Sequence, residues 1–236
     1  MKRASVLASL LFVAACDPVG ADGPDPFTRT GELVALSGGD AGAANACVVC
    51  HGVDGAGTGA GPPRLAGLDQ GYMLKQLQDY ADGRRPDPIM GPVARALDDR
   101  QMRLVSAWYA DLPPRSAAQV GRAFDPRGAA LYREGDAARG LAACGTCHGA
   151  DGRGAPGGPA LAGQPAPYLK EQLRRWRRSE RRNDPRNLML EISRRLTDAE
   201  IAAVSAYLEG LPVGGSGSSS SSTGAMPGST SSLSQR

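Results

Sequence analysis

Histidine is almost missing from the chain: its 236 residues hold two, His51 and His148. Cysteine is scarce as well. Of the five cysteines, Cys47 and Cys50 lead into one histidine, Cys144 and Cys147 lead into the other, and Cys16 stands alone near the start. No cysteine is left for a structural disulfide. No histidine is left for a general base, a further metal site or a second ligand to a metal that either motif already holds. A zinc site of about four nitrogen and sulfur ligands is excluded on the same count, because each cluster offers three with no fourth nearby. Aromatic residues make up 5% of the chain against 32 glycines, so side chains alone supply little bulk for a core.

What remains is concentrated in Cys47-Val48-Val49-Cys50-His51 and Cys144-Gly145-Thr146-Cys147-His148. Each is a C-x-x-C-H, the spacing of covalent haem attachment. On a helical turn, residues three apart share a face. Both sulfurs therefore reach one edge of a porphyrin, and the adjacent histidine turns its imidazole under the iron. A redox dithiol of the thioredoxin type calls for a βαβ setting, whereas these flanks read as helical. Two motifs predict two covalent haem c groups. With no spare histidine, the ligand on the far side of each iron must come from another residue type, and methionine is the usual choice in electron-transfer c-type haems.

The body repeats. Cys47 and Cys144 lie 97 residues apart, and Pro63-Arg64-Leu65-Ala66-Gly67 matches Pro159-Ala160-Leu161-Ala162-Gly163. Tyr72, Gln76 and Leu77 match Tyr168, Gln172 and Leu173. Met90 and Met189 lie 99 apart, each with a leucine seven residues on. The chain thus holds two units, residues 31–115 and 122–212. Both read as all-α. The alanine-rich stretches 40–50 and 137–147 place each motif on an N-terminal helix, and a glycine-rich loop follows. A helix spans about 70–81, with its counterpart from Tyr168 to Trp176. A last helix opens at Asp98-x-x-Gln101 or at the capping box Thr197-x-x-Glu200. Unit two has a single methionine, Met189, in a loop over 184–190. Unit one offers three. Met73 and Met102 fall on helices, where methionine fills core. Met90 falls in the proline-stiffened loop 86–92, in register with Met189. Met90 and Met189 are therefore the expected iron ligands opposite His51 and His148. Units of this size bury a modest core, so the haem-free chain is expected to fold poorly.

The ends read differently. Met1-Lys2-Arg3 followed by a short apolar run reads as a secretory signal over 1–15, too short to span a membrane. Val13-Ala14-Ala15-Cys16 resembles a bacterial lipobox, which implies cleavage before Cys16 and its lipidation. Residues 16–30 form a proline- and glycine-rich tether, and 213–236 a Ser/Gly-rich tail without apolar pattern. The reading is an exported bacterial protein on the periplasmic side, held to a membrane through its N-terminal lipid.

Taken in order, the C-x-x-C-H-G openings, the P-x-L-A-G segments, the Tyr-x-x-x-Gln-Leu helices and the methionine loops ahead of a capped final helix resemble a dihaem class I cytochrome c of the cytochrome c4 type. The resemblance implies two tandem all-α domains, each wrapped around one His/Met-ligated haem. It also implies that Pro63 and Pro159 accept a hydrogen bond from the histidine through their carbonyls, fixing the ring. It further implies electron shuttling between redox partners such as a respiratory complex and a terminal oxidase or reductase, with no substrate bond made or broken and no catalytic residue. A haem enzyme or gas-binding protein with one open or labile iron is the competing expectation. Residues 170–195 carry ten basic and four acidic side chains. These form a solvated face with an arginine or two neutralising haem propionates, a patch steering an acidic redox partner, or a surface for anionic lipid headgroups. Nucleic acid is disfavoured by the haem and by export.

Overall fold

The computed structural model describes residues 25–214 except 60, 118–124 and 157. The signal 1–15, Cys16, most of the tether, part of the junction between the units and the tail beyond 214 lie outside the described residues.

Among the described residues, two sets of five α-helices follow one another. In the first, Thr30 caps α1 (Gly31–Ser37) by accepting from Leu33 N–H. The turn α2 (Cys47–His51) comes next. Asp69 caps α3 (Gln70–Ala81), α4 spans Met90–Ala96, and Asp98 caps α5 (Asp99–Asp111). The second set is α6 (Pro126–Arg133), α7 (Gly145–His148), α8 (Ala166–Arg177), α9 (Leu188–Arg194) and α10 (Asp198–Glu209). Thr197 and Glu200 close a complete capping box on α10, satisfying donors that a helix start leaves open. Among the described residues the only β pairings are two isolated bridges, Asp136 with Leu141 and Ala155 with Gly158.

In each set the first helix crosses the last. The crossing is closed by a glycine: a Cβ on Gly31 would lie 2.1 Å from Leu104 O on α5, and one on Gly128 would lie 2.2 Å from Ala203 O on α10. The backbones touch, and no side chain fits between them. Gly128→Ala is therefore expected to destabilise the second unit by about 3 kcal/mol, the upper end of ordinary overpacking. Denaturant unfolding of the holoprotein measures this, and an unchanged midpoint would show that the helices part without cost.

The cores are small. Val34, Leu97, Met102, Val105 and Tyr109 pack with Leu68 and Met73 in the first unit. Tyr132, Leu169, Val204, Tyr207 and Leu208 pack in the second, beside Leu131, Leu141, Leu196 and Ile201. Met73 and Met102 are 6% and 5% exposed and so sit in core, as their helical positions predict.

Two local expectations need correction. The alanine-rich stretches ahead of the motifs are not continuous helices. Residues 39–45 break into the 3-10 turns Gly39–Ala41 and Ala43–Asn45, preceded by Gly38 and Gly42 respectively, both at positive φ. Ala137–Arg139 is another such turn, ended by Gly140 at positive φ. Each motif rides on one isolated turn, and the true N-terminal helices lie upstream. The methionine segments also differ: Met90 and Met189 occupy the first turns of α4 and α9, and Pro92 does not prevent α4 because it too falls in that helix's first turn.

The boundary between the units is polar. Arg64 N–H donates to Gln164 Oε1 at 3.0 Å while Gln164 Nε2 donates to Arg64 O at 2.9 Å. Arg85 and Arg181 are 3% and 4% exposed, and both guanidinium groups converge on Gln76 Oε1 and Gln172 Oε1, one glutamine from each unit. Arg85 stacks on the ring of Tyr80, and Arg181 takes the matching place on Trp176.

Candidate functional site

The two motif turns are built alike. Cys47 and Cys50 share one turn, Cys144 and Cys147 the other, and all four are free thiols. Burial pushes the Cys47 thiol up to about 11 and raises that of Cys144. A dithiol nucleophile needs the opposite shift at its attacking thiol, which neither of these two cysteines shows. Among the described residues no three of His, Cys, Asp and Glu are grouped to hold a bare metal ion.

Each histidine is held by one ring nitrogen. His51 Nδ1 lies 2.9 Å from Pro63 O, and His148 Nδ1 lies 2.9 Å from Pro159 O. A carbonyl oxygen only accepts, so Nδ1 carries the proton and donates. The lone pair is then on Nε2, free to bind a metal. Burial lowers the pKa of both imidazoles, outweighing the opposing hydrogen bond to the proline carbonyl, which favours the neutral form that metal ligation requires.

Backbone latches place the proline carbonyls. Gly57 N–H donates to His51 O and Gly154 N–H to His148 O, both at 2.9 Å. Leu65 and Ala66 both donate to Gly55 O, and Leu161 and Ala162 to Gly152 O. Gly67 N–H then reaches Tyr109 O on α5, and Gly163 N–H reaches Leu208 O on α10. The P-x-L-A-G segment thus ties the motif loop to the last helix. Space beside His148 is tight: a Cβ on Gly158 would lie 2.8 Å from the ring.

Met90 and Met189 are half-buried, each behind an aspartate. Asp87 Oδ1 accepts from Ile89 N–H at 3.0 Å and Met90 N–H at 2.9 Å. Asp184 Oδ2 accepts from Met189 N–H at 2.8 Å, and its other oxygen accepts from Trp176 Nε1 at 2.9 Å. Sequence reasoning missed both aspartates as loop anchors, although an aspartate three or five residues ahead of the methionine is a visible signal.

The basic stretch 170–195 divides. Arg175 and Arg181 turn into the boundary between the units. Arg174 and Arg177 pair with Asp198, and Arg178 with Glu171 and Glu180, so much of the face is locally neutralised.

These residues suit a covalent haem. Each motif offers two thiols on one turn and a neutral imidazole with Nε2 free. The boundary offers buried cations that want an anion: Nε of Arg85 and Nε of Arg64 are buried without a hydrogen-bond partner among the described residues, and neither Arg85 nor Arg181 has a carboxylate partner there. Burial lowers the Arg64 guanidinium to about 10. A haem brings two carboxylates, which meet that need.

Comparison with known proteins agrees with this construction. Residues 37–112 and 127–212 each match the cytochrome c family. The chain is 44% identical over 181 residues to the thiosulfate dehydrogenase electron acceptor of Stutzerimonas stutzeri, covering 75% of this chain and 84% of that protein. Among solved structures, thiosulfate dehydrogenase from Marichromatium purpuratum superposes with a TM-score of 0.71 at 38% identity, over 80% of this chain and 41% of that one. Reduced cytochrome c4 from Pseudomonas stutzeri superposes with a TM-score of 0.64 at 32% identity, over 70% of this chain and 93% of that one.

Proposed function

The chain belongs to the cytochrome c family, in two tandem copies, and is a dihaem electron-transfer protein; from that premise we propose how its residues divide the work. Cys47 and Cys50 hold one haem through thioethers, and Cys144 and Cys147 hold the other. His51 and Met90 ligate the first iron, His148 and Met189 the second. Each haem supplies an iron that takes up and releases one electron. The chain does the rest. Pro63 and Pro159 fix each imidazole in one tautomer and one orientation. Neutral thioether sulfur from Met90 and Met189 would favour the reduced form of a bound haem iron and raise its potential. Arg85 and Arg181 neutralise propionate charge at the boundary. With each iron closed by a histidine and a methionine, the protein acts as a carrier.

The observation that carries this reading is the pair of His Nδ1 to proline carbonyl bonds, 2.9 Å in both units. They leave the same nitrogen free at two sites built on the same loop.

The partner follows from similarity. A relative of 44% identity is an electron acceptor of thiosulfate dehydrogenase, and we assign this chain the same kind of donor, an oxidoreductase that passes on single electrons. Oxidised protein mixed with a thiosulfate dehydrogenase and thiosulfate is expected to become reduced at both haems. If the haems stay oxidised there but are reduced promptly by a quinol-oxidising respiratory complex, that donor is wrong and the carrier role stands.

Attachment of the haem on the periplasmic side suits the N-terminal signal, and Cys16 is the lipidated residue. Cys16→Ser is expected to move the protein from the membrane fraction to the soluble one, with haem content unchanged. Soluble wild-type protein would remove the anchor from the account.

A further inference from the structure

Contacts across the boundary between the units end on the methionine segments. Arg175, on α8 of the second unit, donates from Nη1 to Asp87 Oδ2 of the first at 2.9 Å. Both side chains are mostly buried, at 16% and 21% exposed. The other oxygen of that carboxylate holds the N–H groups of Ile89 and Met90. One carboxylate therefore joins the second unit to the backbone of Met90.

The opposite contact exists too. Lys75, on α3 of the first unit, donates to Asn183 O at 2.8 Å. Asn183 Nδ2 donates to Gln76 Oε1 at 2.9 Å and to Asp79 Oδ2 at 2.7 Å. The next residue, Asp184, holds Met189 N–H. In the repeat, Asp79 corresponds to Arg175 and Asp87 to Asn183, each 96 residues on. The contact is thus made twice, with donor and acceptor exchanged between the matching positions and the neutral Asn183 amide in place of a charged partner.

The two arms differ in strength. In the second unit the loop has an anchor of its own, the Trp176 bond to Asp184. In the first unit Tyr80 stands where Trp176 stands, and among the described residues no side chain of that unit is hydrogen-bonded to Asp87. Apart from backbone N–H groups, its partner is Arg175.

We propose that the boundary between the units is a reciprocal clamp, each unit positioning the methionine loop of the other, and that Arg175 is the positioning residue that holds Met90 on the first iron. The inference rests on Met90 being that ligand. Its consequence is that closure of the first haem depends on docking of the second unit, so a partner that shifts one unit against the other loosens Met90 before it loosens Met189.

The test uses the full dihaem protein carrying Arg175→Gln, Arg175→Lys, Arg177→Gln or Met90→Ala. Haem content, the near-infrared methionine-to-iron charge-transfer band, carbon monoxide uptake by the reduced form and the two reduction potentials are measured on each. Removing one partner of a mostly buried ion pair is expected to raise the carbon monoxide-reactive fraction of one haem by about tenfold in Arg175→Gln. The potential of that haem should fall, with haem content and helicity unchanged. Arg175→Lys keeps most of the wild-type behaviour, and Arg177→Gln, which lacks the contact, keeps all of it. A purely structural role would lower the unfolding midpoint without moving one potential more than the other. Arg175→Gln identical to wild type, alongside Met90→Ala with half the band lost, would overturn the clamp and leave the ligand standing. A Met90→Ala protein with its full band would overturn both. If Arg175→Gln does not accumulate, Lys75→Met tests the reciprocal arm: it predicts a smaller rise in carbon monoxide uptake at the Met189 haem, and no rise refutes reciprocity.

Discussion

Met189→Ala converts one of the two haems into a site that takes carbon monoxide. No substitute ligand is at hand. The second unit holds no other methionine among the described residues, and both histidines of the chain are held by the proline carbonyls. The buried polar side chains of that unit, such as Ser193 and Ser205, are poor ligands for a soft iron. About half the methionine charge-transfer intensity is expected to disappear. The potential of that haem should fall by on the order of 0.1–0.3 V, inside the ~0.8 V range that axial ligation spans. The half-buried position of Met189 on the first turn of α9 means that its truncation removes a ligand and little core, so the fold survives. Spectroelectrochemical titration with and without carbon monoxide reads both effects. An unaltered band and two unaltered potentials would show that the sulfur lies elsewhere.

The second large effect concerns folding. A chain with Cys47, Cys50, Cys144 and Cys147 all changed to serine is expected to be largely unfolded and rapidly degraded by protease. The reason is the size of the cores. Among the described residues, eight buried apolar side chains pack together in the first unit and nine in the second, while Val49 inside the first motif and Val53 just after it are 66% and 70% exposed. A porphyrin that buries about 400 Å² of apolar surface adds on the order of 10 kcal/mol at ~25 cal/mol per Å², as large as the whole stability of a typical domain. The glycine-rich loops, 52–61 and 149–158, gain nothing from folding until there is something to close around. Far-ultraviolet circular dichroism and limited proteolysis decide the matter. Native helicity with a cooperative thermal transition in the serine variant would show that the protein cores suffice.

Much of this was legible in the chain. The motifs carry their own chemistry in their spacing, and the repeat exposes the Met90–Met189 match without a structure. α3 runs from Gln70 to Ala81, where its apolar spacing places it, and Met73 and Met102 are core. Other features were hidden for physical reasons. Alanine propensity favours helix over 40–46, but Gly38 and Gly42 at positive φ break it into turns, a conformation that glycine permits and composition does not announce. Gly31 and Gly128 matter because two backbones meet there, and nothing local marks the contact. Arg175 and Arg181 sit in the most basic stretch of the chain and read as a solvated or steering face. Their partners lie about a hundred residues earlier in Gln76 and Asp87, and such pairings are fixed by docking of the two units. The same is true of Asp87, which looks like one more surface acid until its two oxygens are followed to different units.

The central claim is that both irons are closed, each by a histidine and a methionine. The most direct test is one optical and near-infrared series on the purified holoprotein: oxidised, reduced, and reduced under carbon monoxide, with haem quantified per chain in the same sample. The account predicts two haems, a methionine charge-transfer band of matching intensity and no carbon monoxide shift. A shift in about half of the haem would contradict it and mark one iron as open, with the search for a substrate beginning there.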